Sequence, residues 1–373
     1  MIDKILVTFF VTIFLFIQLP VKEIEGAMFH QDVSAKGAIL MEQDSGRVLF
    51  EKEAHTPMRI ASITKIMTAI LAIESGKLDE WVTVSSNAVG VEGSSIYLIE
   101  GEKIKLIDLV YGLMLRSGND AAVAIAEYVG GSLEGFVHLM NEKRKELGMI
   151  NTNFANPHGL DDHEEHYSTA YDMAILTRYA MNNDVYREIS GTKSYRSVNK
   201  DNHYRLFHNK NRLLTQLYQY CTGGKTGFTE RARRTLVSTA EKEGMSLIAV
   251  TINAPSDWND HIRLFEWAFK HFSLTSIVEK GMLNNIDDPY YQNKLHAFYS
   301  FEYPLSNEEK NKLKKRCLFY KPPTNNRWEK EGHPNPIGTI QIELDGKIIG
   351  IVPLQYIDDN EEKSKAFWKN WFN

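Results

Sequence analysis

Three short polar motifs, standing in a fixed order, limit what this chain can fold into more than any other feature. They are Ser62-Ile63-Thr64-Lys65, Ser117-Gly118-Asn119 and Lys225-Thr226-Gly227. Each motif is weak alone, but together they supply a nucleophile, a base and an oxyanion-binding edge, which is the pattern of a serine acyl-transfer site. A fold that serves this chemistry has to bring the three segments to one site.

Composition predicts an ordinary folded protein. The chain of 373 residues suits two domains, and its 43% hydrophobic and 24% charged residues are typical of globular proteins. A net charge of −5 gives no excess of positive charge that would attract nucleic acid, so we predict no nucleic-acid partner. The cysteines, Cys221 and Cys317, exclude a disulfide framework and favour free thiols, although one disulfide between them stays open.

The N-terminus indicates export. Lys4 precedes Ile5–Leu19, an uncharged apolar run of fifteen residues that suits a signal peptide and is short for a membrane span. Small residues at Gly26-Ala27 predict a signal peptide over residues 1–27 and a mature chain from Met28. Glu25 fits a cleavage site poorly, so an uncleaved anchor stays open; with either outcome the globular part lies outside the cytoplasm.

Residues 28–272 predict an α+β domain. The stretch from Gly37 to Phe50 predicts a β-hairpin. The apolar spacing from Ile63 to Ile73 predicts a helix that ends at Gly76. Paired strands are predicted at Thr235–Glu241 and Ser246–Ile252. Further predicted helices are Ile104–Leu115, Asp120–Val129, Gly135–Leu147, Thr169–Met181 and Asp260–Lys270. Strands at both ends with helices between them indicate an antiparallel sheet covered by helices.

After Phe272 the pattern becomes β-rich. Gly338–Leu344 and Lys347–Pro353 flank Asp345-Gly346 and predict a hairpin with a two-residue turn in a smaller domain over residues 273–360. Residues 361–373 end in a segment that groups aromatic residues with lysines. This tail predicts either attachment to a membrane surface or a helix packed on the second domain.

The first motif can hold an activated serine. Residues three apart lie on one face of a helix, so Ser62 and Lys65 meet if Ser62 begins the helix. A hydroxyl needs a base within hydrogen-bond reach, and Lys65 is a base only when neutral. Apolar neighbours such as Ile66 and Met67, together with a second ammonium at Lys225, lower the pKa of Lys65.

The second motif lies in a polar turn between two predicted buried helices. Such a turn can direct Ser117 and Asn119 into a cleft, where Ser117 passes a proton between Lys65 and the leaving group. Asn119 can hold a substrate amide and orient Lys65. A helix cap formed by Asn119 is the structural interpretation, and both roles can hold at the same time.

The third motif is the most specific, and it follows Thr222-Gly223-Gly224 and precedes an apolar strand. Glycine at Gly227 lets a substrate backbone approach closely. Lys225 and Thr226 can meet a carboxylate. The backbone N–H groups of Ser62 and Phe228 can pair as an oxyanion hole.

These segments resemble the low-molecular-mass penicillin-binding proteins, the serine D-alanyl-D-alanine carboxypeptidases, over nearly the whole chain. The resemblance rests on Arg59–Ala69, Leu115–Ala122, Asn156–Leu160 and Gly224–Gly227, and on the β-rich tail domain. It implies a β-lactamase/transpeptidase-like fold. The most similar subgroup is the sporulation-associated carboxypeptidases of endospore formers.

The resemblance also implies an activity and its partners. An enzyme of this family removes the terminal D-Ala from peptidoglycan stem peptides ending in D-Ala-D-Ala, through an acyl-enzyme on Ser62, and β-lactams acylate the same serine. It needs no cofactor or metal and acts at the outer face of the cytoplasmic membrane or in the cell wall space. In the segment Asn209–Leu214, Lys210 takes the place of a basic residue that helps bind the terminal carboxylate.

Other functions stay open at this point. A serine β-lactamase needs a deacylating glutamate in an E-x-x-x-N loop, and Glu164 and Glu165 are followed by Ser168 and Thr169 instead. A D,D-endopeptidase and a non-catalytic wall-binding protein are further alternatives. Histidines in a polar loop, namely His158, His163 and His166, raise the question of a zinc site.

Overall fold

The computed structural model describes residue 29 and residues 32–284, 286–325 and 327–357. The predicted signal peptide over residues 1–27 and the predicted tail over residues 361–373 lie outside these ranges. Among the helices within them, none combines the length and the apolar character needed to cross a membrane. Cys221 is buried and Cys317 is exposed, and both are free thiols.

Sixteen strands and nine α-helices are described. The strands are β1 (Gly37–Glu42), β2 (Val48–Lys52), β3 (Trp81–Thr83), β4 (Lys103–Lys105), β5 (Ser194–Val198), β6 (Tyr204–His208), β7 (Cys221–Thr229), β8 (Arg233–Lys242), β9 (Met245–Ile252), β10 (Phe272–Val278), β11 (Gly281–Met282), β12 (Leu295–Ala297), β13 (Phe301–Ser306), β14 (Lys314–Phe319), β15 (Gly338–Leu344) and β16 (Lys347–Tyr356). The helices are α1 (Lys65–Glu74), α2 (Leu106–Tyr111), α3 (Asn119–Gly130), α4 (Leu133–Glu146), α5 (Ala170–Met181), α6 (Asp184–Gly191), α7 (Asp257–His271), α8 (Asn307–Lys310) and α9 (Arg327–Glu331).

A five-stranded antiparallel sheet organises the first part of the chain. Its order is β2-β1-β9-β8-β7, so segments from both ends of this part lie side by side. Every residue of β1 is buried, because Ile39 and Met41 face the helical core while Ala38 and Leu40 face the core beside α7. The predicted α+β fold, an antiparallel sheet covered by helices, is confirmed.

Helix α1 occupies the middle of the helical core. Its apolar residues and Lys65 are all buried. The predicted start at Ser62 needs refinement, because a 3-10 turn over Ala61–Thr64 precedes the α-helix at Lys65. The predicted helix Ile104–Leu115 is also divided: α2 ends at Tyr111, and a π-helical turn, Gly112–Arg116, leads to the second motif.

Several other predicted elements are confirmed. The hairpin β1–β2, the pair β8–β9 and the hairpin β15–β16 have antiparallel registers. The third motif differs from the prediction, because Lys225-Thr226-Gly227 lies inside β7 and not before a strand. Strand β7 is the edge of the main sheet and pairs with β8.

The second part of the chain has its own apolar core. It contains a five-stranded sheet of order β11-β12-β16-β15-β14, and β10 pairs with β13 beside it. Buried residues of this core include Leu295, Ile342 and Val352. Arg47, in the β1–β2 turn, reaches this part by binding Glu309 and stacking over Tyr303. The domain limits inferred from the sequence stay predictions.

Candidate active site

The first motif is presented by a strained turn. Ala61, directly before Ser62, has a positive φ of 50°, which is uncommon for a residue with a Cβ. The hydroxyl of Thr64 donates to the Ala61 carbonyl at 2.7 Å and closes this turn. Ser62 is therefore held, partly exposed, at the entry to α1.

Lys65 lies at the centre of the site. Its Nζ is 2.9 Å from Ser62 Oγ, 2.6 Å from Asn119 Oδ1 and 2.6 Å from the His158 carbonyl oxygen. Three different segments of the chain thus supply the three neighbours of one amine. The predicted meeting of Ser62 and Lys65 is present in this geometry.

The surroundings of Lys65 favour the neutral amine. The side chain is fully buried, and desolvation, with the charges of Lys225 and Lys210, lowers the pKa of Lys65 well below its ordinary value. A neutral amine has two N–H groups and one lone pair. The Asn119 and His158 oxygens can take the two N–H groups, which leaves the lone pair directed at the Ser62 hydroxyl.

The second motif places Ser117 opposite Lys225. The backbone of Ser117 is in the left-handed helical region, with φ 63° and ψ 33°, directly after the π-helical turn that ends at Arg116. Strained residues of this kind persist where the surrounding structure over-determines them. Ser117 Oγ accepts from Lys225 Nζ at 3.0 Å. The serine of the second motif and the lysine of the third motif are in direct contact.

Asn119 acts on Lys65 instead of capping a helix. Gly118 is the N-cap of α3, and the Asn119 side chain makes no capping bond. Its Oδ1 accepts from Lys65, and its Nδ2 donates to the Glu92 carbonyl at 2.6 Å. The amide is fixed from both ends, so the orientation of Lys65 is fixed with it.

Strand β7 packs closely against the nucleophile turn. A Cβ built on Gly227 would lie 2.9 Å from the backbone nitrogen of Ser62, so only glycine allows this approach. The following residue, Phe228, points its side chain outward, with 56% of it exposed. The Phe228 side chain therefore faces away from the site, and an oxyanion hole formed by the N–H groups of Ser62 and Phe228 stays a prediction.

Lys225 is also buried, and its ammonium is only lightly compensated. It donates to Ser117 and, at 2.7 Å, to the Thr226 carbonyl oxygen. Desolvation, followed by the charge of Lys210, lowers the pKa of Lys225 to about 7. Lys225 therefore titrates near neutral pH.

Lys210 is brought to the rim of the same site. Its Nζ donates to Ser94 Oγ at 2.9 Å, and the Ser94 carbonyl accepts from the Asn119 backbone. Burial and the neighbouring charge of Arg116 lower the pKa of Lys210. Because the charge of Lys210 is felt by both Lys65 and Lys225, all the predicted basic residues share one electrostatic environment.

The sequence interpretation missed the role of the loop over residues 156–166. The carbonyl of His158 accepts from Lys65, the Pro157 carbonyl accepts from Thr68, and a Cβ on Gly159 would lie 2.0 Å from the Ala61 carbonyl oxygen. Contacts of backbone carbonyls leave no pattern in residue types. The glycine in Asn156–Leu160 was the one available signal of close packing.

The loop histidines have structural partners. His166 Nδ1 accepts from the Ala155 backbone, so its Nε2–H faces Thr64 Oγ1 at 2.8 Å. Burial lowers the pKa of His158 and of His166 to about 3. Within the described residues, no three or more His, Cys, Asp or Glu side chains are grouped to hold a metal ion.

Comparisons with known proteins identify relatives over this whole region. The family model for D-alanyl-D-alanine carboxypeptidases matches residues 24–256. D-alanyl-D-alanine carboxypeptidase DacF of Bacillus subtilis is 40% identical over 66% of this chain and 65% of its own length. D-alanyl-D-alanine carboxypeptidase DacC of Escherichia coli is 32% identical over 91% of this chain and 87% of its own length.

A solved structure extends the similarity to the second part of the chain. Penicillin binding protein 5 from Haemophilus influenzae superimposes with a TM-score of 0.72 at 27% identity. The match covers 89% of this chain and 99% of that protein. On the family model and this structural likeness together, this chain belongs to the D-alanyl-D-alanine carboxypeptidase family.

Proposed function

We propose that the protein is a serine-type D,D-carboxypeptidase that removes the terminal D-Ala from peptidoglycan stem peptides. The observation that carries this proposal is the placement of a buried lysine, Lys65, 2.9 Å from the hydroxyl of Ser62. A second buried lysine, Lys225, donates to Ser117 of the second motif. One lysine suits proton transfer, and the other suits binding of the substrate's terminal carboxylate.

In the proposed acylation, Ser62 Oγ attacks the carbonyl carbon between the two terminal D-alanines. The Ser62 proton passes to the neutral amine of Lys65, and a C–O bond forms. The N–H groups of Ser62 and Phe228 stabilise the negative oxygen. The C–N bond then breaks as Lys65 returns its proton, by way of Ser117, to the leaving amine of D-Ala, which leaves Lys65 neutral again.

In the proposed deacylation, water attacks the ester on Ser62 and releases the shortened peptide. Lys65 accepts a proton from this water and returns it to Ser62 Oγ, so the enzyme is regenerated. A β-lactam presents a similar carbonyl but keeps its leaving group tethered. Its acyl-enzyme therefore persists, and β-lactams are proposed as covalent inhibitors.

The free carboxylate of the substrate is proposed to bind between the third motif and Lys210. Lys225 and the hydroxyl of Thr226 provide a charged and a neutral donor on strand β7. Lys210 adds positive charge at the rim, where its amine meets Ser94. A charge-assisted hydrogen bond contributes about 1.5–3 kcal/mol, which is enough to separate free acids from capped peptides.

The environment of Glu164 argues against a β-lactamase. Its carboxylate binds Arg59 and, through both oxygens, Arg231. Arg231, with Arg59, lowers the pKa of Glu164 to about 2, so this carboxylate, bound by two arginines, is a weak base. The retained set of polar residues around Ser62 argues equally against a non-catalytic binding protein.

Incubation with a fluorescent penicillin separates the three functions. A carboxypeptidase should keep the label, a β-lactamase should turn it over, and a binding protein should not take it up. Release of D-Ala from an N-acylated Lys-D-Ala-D-Ala peptide should accompany the lasting label. Exhaustive chelation should leave this release unchanged; loss of activity that zinc restores would instead indicate a metallopeptidase.

The site of action is proposed from family membership. We place the enzyme outside the cytoplasm, at the outer face of the membrane or in the cell wall space, because its proposed substrate is there. A role in sporulation stays a prediction. Membrane attachment through residues 361–373 also stays a prediction.

A further inference from the structure

An ion-pair cluster lies beside the active site and is formed by Arg59, Asp161, Glu164 and Arg231. The Glu164 carboxylate accepts from Arg59 Nη2 at 2.7 Å and from Arg231 Nη1 and Nη2 at 2.6 Å and 2.8 Å. Asp161 accepts from the Arg231 backbone at 3.2 Å, and its Oδ1 lies 3.7 Å from Arg59. Two arginines from distant segments therefore share two carboxylates of one loop.

The cluster joins the three segments that build the catalytic centre. Arg59 lies three residues before Ser62, on the chain that enters the nucleophile turn. Asp161 and Glu164 belong to the loop whose His158 carbonyl accepts from Lys65. Arg231 lies in the turn between β7 and β8, directly after the strand that carries the third motif.

None of the side chains in this cluster is assigned to the proposed reaction. Glu164 is 74% exposed at its side chain, whereas Arg59 is only 14% exposed. The Arg59 guanidinium also donates to the His163 carbonyl at 3.0 Å, so it binds the loop at its backbone as well. The cluster thus holds the loop from outside while Lys65 and Thr68 hold it from inside.

We propose that Glu164 is a positioning residue that clamps the His158 loop and the β7–β8 turn to the nucleophile turn. The clamp sets two spacings at once: that between the Ser62 and Phe228 N–H groups, and that between the His158 carbonyl and Lys65. This inference rests on the proposed function and adds a residue that acts on catalysis without touching the substrate.

Exposure limits what such a cluster contributes to stability. Single surface ion pairs contribute little to stability, and only bidentate or networked pairs contribute more. Glu164 is both bidentate with Arg231 and shared with Arg59. The effect on catalysis is expected to be larger, because a misplacement of about 1 Å can lower a rate by roughly 100-fold.

The test is Glu164→Gln, which keeps the size of the side chain and removes its charge. We expect kcat for D-Ala release to fall by about 10-fold while KM changes by less than about 2-fold, since the carboxylate anchors are untouched. The rate of penicillin acylation should fall by the same factor. High salt should lower kcat of the wild type toward that of the variant and leave the variant unchanged, because the cluster is open to screening.

Glu331→Gln is the matched control. Glu331 is also an exposed glutamate that accepts from an arginine, Arg327, but it lies in the second part of the chain. It should behave as the wild type in kcat and in salt dependence. Arg231→Gln, which leaves the Arg59–Glu164 pair in place, should give a smaller loss and serves if Glu164→Gln does not fold.

The outcomes separate the clamp from the proposed function. If the wild type neither releases D-Ala nor binds penicillin, the proposed function is wrong. If the wild type is active and both cluster variants retain kcat and acylation within about 2-fold, the clamp is wrong. An equal loss in Glu331→Gln would also contradict it, because that loss would follow from charge removal in general.

Discussion

The two parts of this molecule treat buried polar groups in opposite ways. Before Phe272 the interior holds buried lysine amines, carboxylates and imidazoles, among them the side chains of Lys65, Lys225 and Asp120. Among the described residues from 273 onward, the buried polar side chains are His296 and Ser306, and the remaining buried residues are apolar. The first part carries the chemistry, and the second is an ordinary apolar β core.

The contrast shows which part of the fold contains buried ionisable groups that reduce its stability. Burying an unpaired ammonium disfavours its charged form strongly, and two such groups in one site destabilise the protonated state further. Lys65 and Lys225 both have lowered pKa values for this reason. A part of the molecule without chemistry has no need of such groups, so its core is built by apolar packing.

The largest change in acylation rate is expected from a substitution of the proposed base, Lys65. Lys65→Arg keeps a positive charge but supplies no neutral amine near neutral pH. We expect the rate of penicillin acylation to fall by at least ~100-fold, the lower range for general base catalysis. Stopped-flow acylation measures it, and a near-wild-type rate would mean that another group activates Ser62.

The next effect concerns the substrate's free carboxylate. Capping the terminal D-Ala as an amide should lower kcat/KM by roughly 10- to 150-fold, because a charge-assisted hydrogen bond contributes about 1.5–3 kcal/mol. Thr226→Val should remove much of this preference and retain some penicillin acylation, and Lys210→Ala should remove part of it. Equal rates on acid and amide with the wild type would point to an endopeptidase.

A smaller effect is expected in the pH profile. Activity needs a neutral Lys65 and a charged Lys225, so kcat/KM should rise as Lys65 loses its proton and fall as Lys225, with a pKa of about 7, loses its own. Lys225→Arg stays charged and should move the falling limb to higher pH. An unchanged falling limb in this variant would assign that limb to another group.

The lowered pKa of Lys225 also predicts how stability changes with pH. The folded state binds fewer protons at this lysine than the unfolded state does between pH of about 7 and the ordinary lysine value. The contribution of Lys225 to the free energy of unfolding should therefore rise with pH across that window. In Lys225→Met this rise should be reduced, as chemical denaturation at pH of about 7 and 9 would measure.

The smallest effect on activity is expected in the second part. Ile342 is fully buried in its core, and Ile342→Ala should reduce the free energy of unfolding by about 2–5 kcal/mol. D-Ala release should stay within about 2-fold of the wild type at temperatures below the transition. Calorimetry and peptide hydrolysis on one preparation check both; a large loss of activity would mean that the two cores are coupled.

Elements with a strong local pattern could be predicted from the sequence. Strands β8 and β9 alternate and join across a short turn, and helix α1 repeats its apolar residues with helical spacing. Strand β7 could not be recognised in the same way, because Gly223, Gly224 and Gly227 interrupt any alternation. Its identity as a strand follows from its pairing with β8, which is a tertiary property.

The features of the candidate site also divide into those that a local pattern predicts and those that depend on tertiary packing. The side chains of Ser62, Lys65, Ser117 and Lys225 could be predicted, because each belongs to a motif with a chemical purpose. The contact of Ser117 with Lys225 could not be predicted, nor could the carbonyl of His158 beside Lys65. Both depend on how the segments pack, which residue types alone do not encode.

The most direct test is the intact mass of the protein after incubation with benzylpenicillin. The wild type should gain the mass of one penicilloyl group, because the amine of Lys65, 2.9 Å away, activates Ser62. Ser62→Ala should gain no mass and should release no D-Ala. A penicilloyl adduct on Ser62→Ala would contradict the assignment of the nucleophile and, with it, the account of the buried lysines.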